Sequence, residues 1–155
     1  MPTAQVRPRQ VEPLDMAEGG PYLVDAMFHD DGHLMTVLVW LDGDAPCRLV
    51  VDTTADRTQI RRAILLQADL RPFVVPIGHA AAPQYRPEGA ALGQFWLRFP
   101  LLLGMDGLPG NLPDDPAIDG VLGMDWLTPH FERICLDFET PALPLWPRGG
   151  TVSNR

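Results

Sequence analysis

The 155-residue sequence predicts an all-β domain, closed on itself, with one central helix and a short helical turn near the C-terminal end. Three observations lead there. Apolar runs of strand length follow one another along most of the chain, and only one stretch has helical periodicity. Seventeen prolines and fourteen glycines cut the chain into short elements and argue against a helical bundle. Asp-Gly pairs at Asp31-Gly32 and Asp42-Gly43 sit between apolar runs, where they signal hairpins.

Taken in order, residues 1–20 form a polar, proline-containing arm, expected to be flexible. Tyr22 to Phe28 reads as a strand, and His29 to His33 as a turn. Leu34 to Leu41 is nearly all apolar and therefore a central strand; Cys47 to Asp52 is the third. Thr58 to Leu70 is the helix, with Ile60, Ile64, Leu65 and Ala68 on one face and Asp56 or Thr58 as its cap. Arg71-Pro72 ends it. Phe73 to Ile77 is a short strand, and Gly78 to Gly93 a polar, mobile segment. Gln94 to Leu103 is an edge or bulged strand, because Pro100 lies inside it. Met105 to Pro116 is a loop, and Ala117 to Leu122 a strand leading into Gly123. Asp125 to His130 makes one helical turn. Arg133 to Phe138 and Ala142 to Trp146 form a last hairpin, followed by a flexible tail over 147–155. The domain therefore occupies 21–146.

Composition narrows the function. The net charge is −8, and the twelve basic residues, all Arg, are scattered, so no clustered basic surface for nucleic acid is present. No apolar run is long enough for a membrane span or a signal peptide, and a cytoplasmic protein is expected. Cys47 and Cys135 both flank strands; a bridge is geometrically allowed, and two buried, reduced thiols is the reading that a cytosolic setting favours.

Chemistry concentrates at Leu49-Val50-Val51-Asp52-Thr53-Thr54-Ala55. A carboxylate at the end of a buried strand is costly unless partners surround it, so Asp52 is the first catalytic candidate. The plain alternative is an acid that caps the following turn. This stretch resembles the apolar-apolar-Asp-Thr-Gly-Ala signature of the retropepsin-like aspartic proteases. Gly120-Val121-Leu122-Gly123-Met124-Asp125-Trp126-Leu127 is similar to that family's second signature, and the resemblance extends over 22–145.

The resemblance implies a pepsin-like (retropepsin) barrel of the single-domain bacterial type. It also implies hydrolysis of peptide bonds by a water held between two carboxylates that share a proton. Only one signature Asp is present, so it implies a homodimer with Asp52 of each copy at a two-fold axis. By the same carry-over, Thr53 bonds across the interface, Ala55 lies beside the carboxylate, and Gly123 lets the chain pass close under the loop. A flap falls within 74–93, with Gly78, Ala80, Ala81 and Ala82 suited to its movement. Trp96, Phe99 and the run from Leu101 have two roles open to them, pocket lining and core packing. Thr54 departs from the family's Gly; it either keeps the amide and adds a hydroxyl near Asp52 or marks a copy that has lost the reaction.

The expected partner is a peptide or protein substrate, with no cofactor and no metal. The competing class is a catalytically silent dimeric domain that binds or scaffolds. His29-Asp30-Asp31-His33 is weaker as a metal site than as a solvated hairpin tip, and Asp106, Asp114, Asp115 and Asp119 lack calcium-loop spacing. Ser153, in the tail, is the only serine, which disfavours nucleophilic serine chemistry.

Overall fold

The computed structural model describes residues 21–29, 32–73, 82–108, 112 and 115–149. Their elements are β1 (Tyr22–His29), β2 (Leu34–Leu41), β3 (Ala45–Val51), β4 (Gln59–Arg61), α1 (Arg62–Gln67), β5 (Gln84–Tyr85), β6 (Gly89–Leu92), β7 (Phe95–Arg98), β8 (Leu102–Met105), β9 (Gly120–Leu122), α2 (Met124–Leu127), β10 (Phe131–Ile134) and β11 (Ala142–Pro147). Among the described residues the strands share one sheet in the order β10-β11-β1-β2-β3-β9-β4-β8-β5, with β6 and β7 branching from β2. The all-β expectation holds. The closed barrel does not follow, because this path runs from β10 to β5 without returning on itself.

The opening meander forms as its sequence dictates. β2 pairs with β3 along its length, while its other edge is shared: Leu34 to Val37 face β1, and Val39 to Leu41 face β6. A strand bonded on both edges must be apolar, and Val37, Val39 and Leu41 are fully buried. Asp42 and Gly43 turn the chain with φ of 52° and 87°, the left-handed pair a tight hairpin needs. The Asp42 carboxylate then accepts the N–H groups of Glu88 (2.7 Å) and Gly89 (3.2 Å), which fastens the hairpin tip to β6.

Three expectations are corrected. The predicted helix Thr58 to Leu70 is a strand followed by a helix of six residues, α1. Gln59 to Arg61 are taken into the sheet between β8 and β9, where Ile60 is fully buried, and ladder bonds there outweigh helical spacing. Neither Asp56 nor Thr58 caps α1, whose N-cap Arg61 has no side-chain cap. Within the expected polar segment, β5 and β6 are ordered, and all four residues of β6 are buried. Gly89 is required there because the Trp96 ring fills the space where a Cβ would stand. The expected strand Gln94 to Leu103 is two strands, β7 and β8, broken at Phe99-Pro100.

The last hairpin forms, but its first strand is shifted: β10 spans Phe131–Ile134, so Cys135 to Phe138 are not strand, and β11 runs on to Pro147. Arg148 holds on beyond it, its backbone N–H reaching His130 O (3.0 Å) and its Nε reaching Thr128 O (2.9 Å). The core gathers Val24, Met35, Leu49, Ile60, Leu65, Leu102, Leu122, Leu127, Leu143 and Leu145 from nearly every element. No helix among the described residues is long and apolar enough to cross a membrane.

Candidate active site

β3 delivers the acid. Leu49, Val50 and Val51 are buried and pair in parallel with Gly120, Val121 and Leu122 of β9. The ladder continues one residue further, where the Asp52 N–H donates to Leu122 O (3.2 Å), and then the chain leaves the sheet. Ala55 N–H closes a turn onto Asp52 O (3.1 Å), and Ala55 O accepts the N–H of Met124 (2.8 Å) at the start of α2. The loop of residues 52–55 is thus pinned at both ends while Thr53 and Thr54 stand exposed at its tip.

Asp52 is half-buried, and its carboxylate is held locally. Oδ1 accepts two bonds from Thr54, one from the backbone N–H (2.9 Å) and one from the hydroxyl (2.6 Å). Thr54 therefore keeps the amide contact and adds a hydroxyl to it. No second carboxylate is bonded to Asp52 among the described residues. Ala55 is half-buried beside it.

Gly123 lies where a close approach was expected. A Cβ there would stand 2.6 Å from both the carbonyl carbon and the oxygen of Arg57, a separation no side chain tolerates. The Gly123 N–H donates to Thr58 Oγ1 (3.0 Å), and that hydroxyl donates to Asp125 Oδ1 (2.8 Å). The other oxygen of Asp125 faces Arg57 Nε at 3.6 Å. A buried threonine thus joins the strand after the acid loop to α2. Asp119 performs the same service at the other end of β9: its carboxylate accepts the Arg48 N–H (2.8 Å), and its own N–H donates to Arg48 O (2.8 Å).

Sequence reasoning did not find Arg57, Thr58, Asp119 or Asp125 as parts of the site. Thr58 resembled a helix cap, Asp125 the opening of a helical turn, and Asp119 an acid in a solvated loop. The signal available was Asp125, a polar residue just past the apolar run Val121-Leu122-Gly123-Met124; nothing local marks Thr58.

With the geometry in view, comparison with known structures gives a likeness of fold. A retropepsin-like aspartic protease from Rickettsia conorii superposes with a TM-score of 0.54 over 81% of this chain and 89% of that one, at 16% identity. The fold is retropepsin-like. No protein-family model matches the sequence, and no curated protein matches it. In this retropepsin-like fold the parallel β3–β9 pair and the crossing of Gly123 under Arg57 are what set Asp52 at the end of a buried strand.

The remaining sequence candidates are placed as follows. Of the flap segment 74–93, residues 74–81, with Gly78, Ala80 and Ala81, lie outside the described residues; Ala82 is half-buried, and β5 and β6 occupy much of the rest. Trp96 packs over Gly89, while Phe99 is 51% exposed and is not core. Asp30 and Asp31 lie outside the described residues; His29 Nδ1 lies 3.8 Å from Asp115 Oδ2. Among the described residues no group of three or more His, Cys, Asp or Glu side chains could hold a metal ion. Both cysteines are free thiols, but only Cys47 is buried, so the expectation of two buried thiols is corrected for Cys135. Burial, with the Asp119 carboxylate adding to it, pushes the Cys47 thiol up to about 12.

Proposed function

We propose that the chain is an aspartic endopeptidase acting as a homodimer in the cytoplasm on a peptide or protein substrate. One observation carries the reading. A half-exposed carboxylate stands at the end of a buried strand in a doubly pinned loop, with no second acid bonded to it within the described chain. Water activation by this route needs a pair of carboxylates sharing a proton, one as base toward water and the other as acid toward the carbonyl. A two-fold axis beside exposed Thr53 would supply the missing Asp52 from a second copy. Thr53 would then bond across the interface, Thr54 and Ala55 would shape the loop, and the flap would fall within 74–93. The reading requires neither nucleic acid, membrane, metal nor cofactor.

The experiment is cleavage of a peptide library by wild type and Asp52→Asn at acidic and neutral pH. Cleavage by wild type that disappears in the variant supports the dyad. Equal cleavage by both rejects it.

The second reading is a silent dimeric domain that binds peptides without turnover. The 2.6 Å bond from the Thr54 hydroxyl favours it, because that donor occupies an oxygen the reaction needs. Bound library peptides that remain intact would support this reading. Cleavage by a Thr54→Gly variant beside a silent wild type would identify the hydroxyl as the cause.

A further inference from the structure

A pocket of about 270 Å3 opens beside Arg57, two residues past the acid loop, between β7, the chain before β8, and α2. Phe99 and Trp126 form its apolar walls; Arg57, Arg98, Asp125 and His130 supply its polar groups. The Trp126 indole N–H is already committed to Leu101 O (2.7 Å), so the wall it presents is fixed.

The charges do not balance. Asp125 is satisfied by the Thr58 hydroxyl and by Arg57, which leaves Arg98 exposed and without an ion pair among the described residues. Burial pushes the His130 imidazole below its usual range, which disfavours its cationic form. Glu88, across the hairpin from Phe99, is exposed and makes no ion pair among the described residues.

The backbone at the rim is strained to suit. Phe99 has a φ of 50°, a conformation that a bulky residue rarely adopts and keeps only when its surroundings hold it. Its N–H donates to Glu88 O (2.9 Å), and its carbonyl accepts from Arg86 Nη1 (3.1 Å). The strain leaves an aromatic ring 51% exposed at the pocket instead of in the core.

We propose that this pocket takes one acidic side chain, Glu or Asp, of a polypeptide bound beside the acid loop. Arg98, with Arg57 behind it, faces the carboxylate, and Phe99 and Trp126 cover the aliphatic stem. A single spare positive charge suits a carboxylate better than a phosphate dianion. The proposal rests on the reading of the chain as a peptide-binding domain and is independent of turnover.

The test uses the 15N-labelled full chain carrying Asp52→Asn, titrated with acetyl-Leu-Glu amide, acetyl-Leu-Gln amide and acetyl-Leu-Lys amide. The Trp126 indole N–H signal is the readout. The Glu peptide should move that signal and bind roughly threefold to tenfold tighter than the Gln peptide. Arg98→Glu, at an exposed and unpaired position, should keep the spectrum of a folded chain and reverse the preference toward the Lys peptide. Equal affinity for the Glu and Gln peptides, or an indole signal unmoved at about 10 mM ligand, overturns the proposal. Hydrolysis plays no part in the measurement. A failure to cleave peptides leaves this site standing, and a failure here leaves the dyad standing.

Discussion

Thr58 does more for the acid loop than any residue that touches Asp52. Its hydroxyl accepts from Gly123 and donates to Asp125, and the residue is fully buried. Removing it strands a buried N–H and one oxygen of a half-buried carboxylate, and orphaned buried groups cost more than the bond between them contributes. Thr58→Val, close to the same shape, should lower unfolding stability by about 2–3 kcal/mol in urea melts. Thr58→Ser should recover most of it. A valine variant as stable as wild type would mean that water replaces the hydroxyl and that the link is unimportant. Asp52 itself was legible from sequence because an acid after three apolar residues is conspicuous. Thr58 and Asp125 were not, because their meaning depends on a contact between residues 67 apart in the chain.

Among the elements, the β2–β3 hairpin carries the acid and is held from its far end. Asp42 has a φ of 52°, and its carboxylate takes two backbone donors from the segment entering β6. Asp42→Ala loses both bonds and leaves a Cβ-bearing residue without local help in a left-handed turn. It should cost about 2 kcal/mol, while Asp42→Asn, which tolerates that conformation and keeps an acceptor, should be close to neutral. Thermal melts of the two variants would check the contrast; an equal loss in both would assign the effect to charge. The meander β1 to β3 was legible for local reasons, namely uninterrupted apolar strands and Asp-Gly turns. The strand β4 was not: Gln59 to Arg61 lead into a helical pattern, and only pairing with β8 and β9 overrides it. β6 was missed because Gly89-Ala90-Ala91-Leu92 has weak strand propensity, and its burial comes from β2 and β7.

For the whole molecule the proposed dimer has a thermodynamic signature that needs no substrate. If the folded state is a pair of chains, dilution favours unfolding, and the melting temperature should rise by about 1–3 °C for each tenfold increase in protein concentration. Calorimetric scans from micromolar to millimolar protein would show it. A constant melting temperature over that range, together with a monomer in sedimentation, would remove the shared site while leaving the retropepsin-like fold untouched. The fold class was legible from the whole chain, since strands dominate and one helix interrupts them. Barrel closure was inferred from the run of strands as well as from the resemblance, and the described sheet is instead an open path with β10 and β5 at its two ends.

The parallel pairing of β3 with β9 also sets the order of events at birth. Val50 finds Val121 only after the intervening chain has been made, and contacts so distant in sequence form late. Until β9 and Gly123 have left the ribosome, Asp52 has no ladder to hang from and no loop geometry to hold. A nascent chain therefore holds Asp52 without its ladder through most of synthesis, and the loop takes its shape only once β9 and Gly123 have emerged.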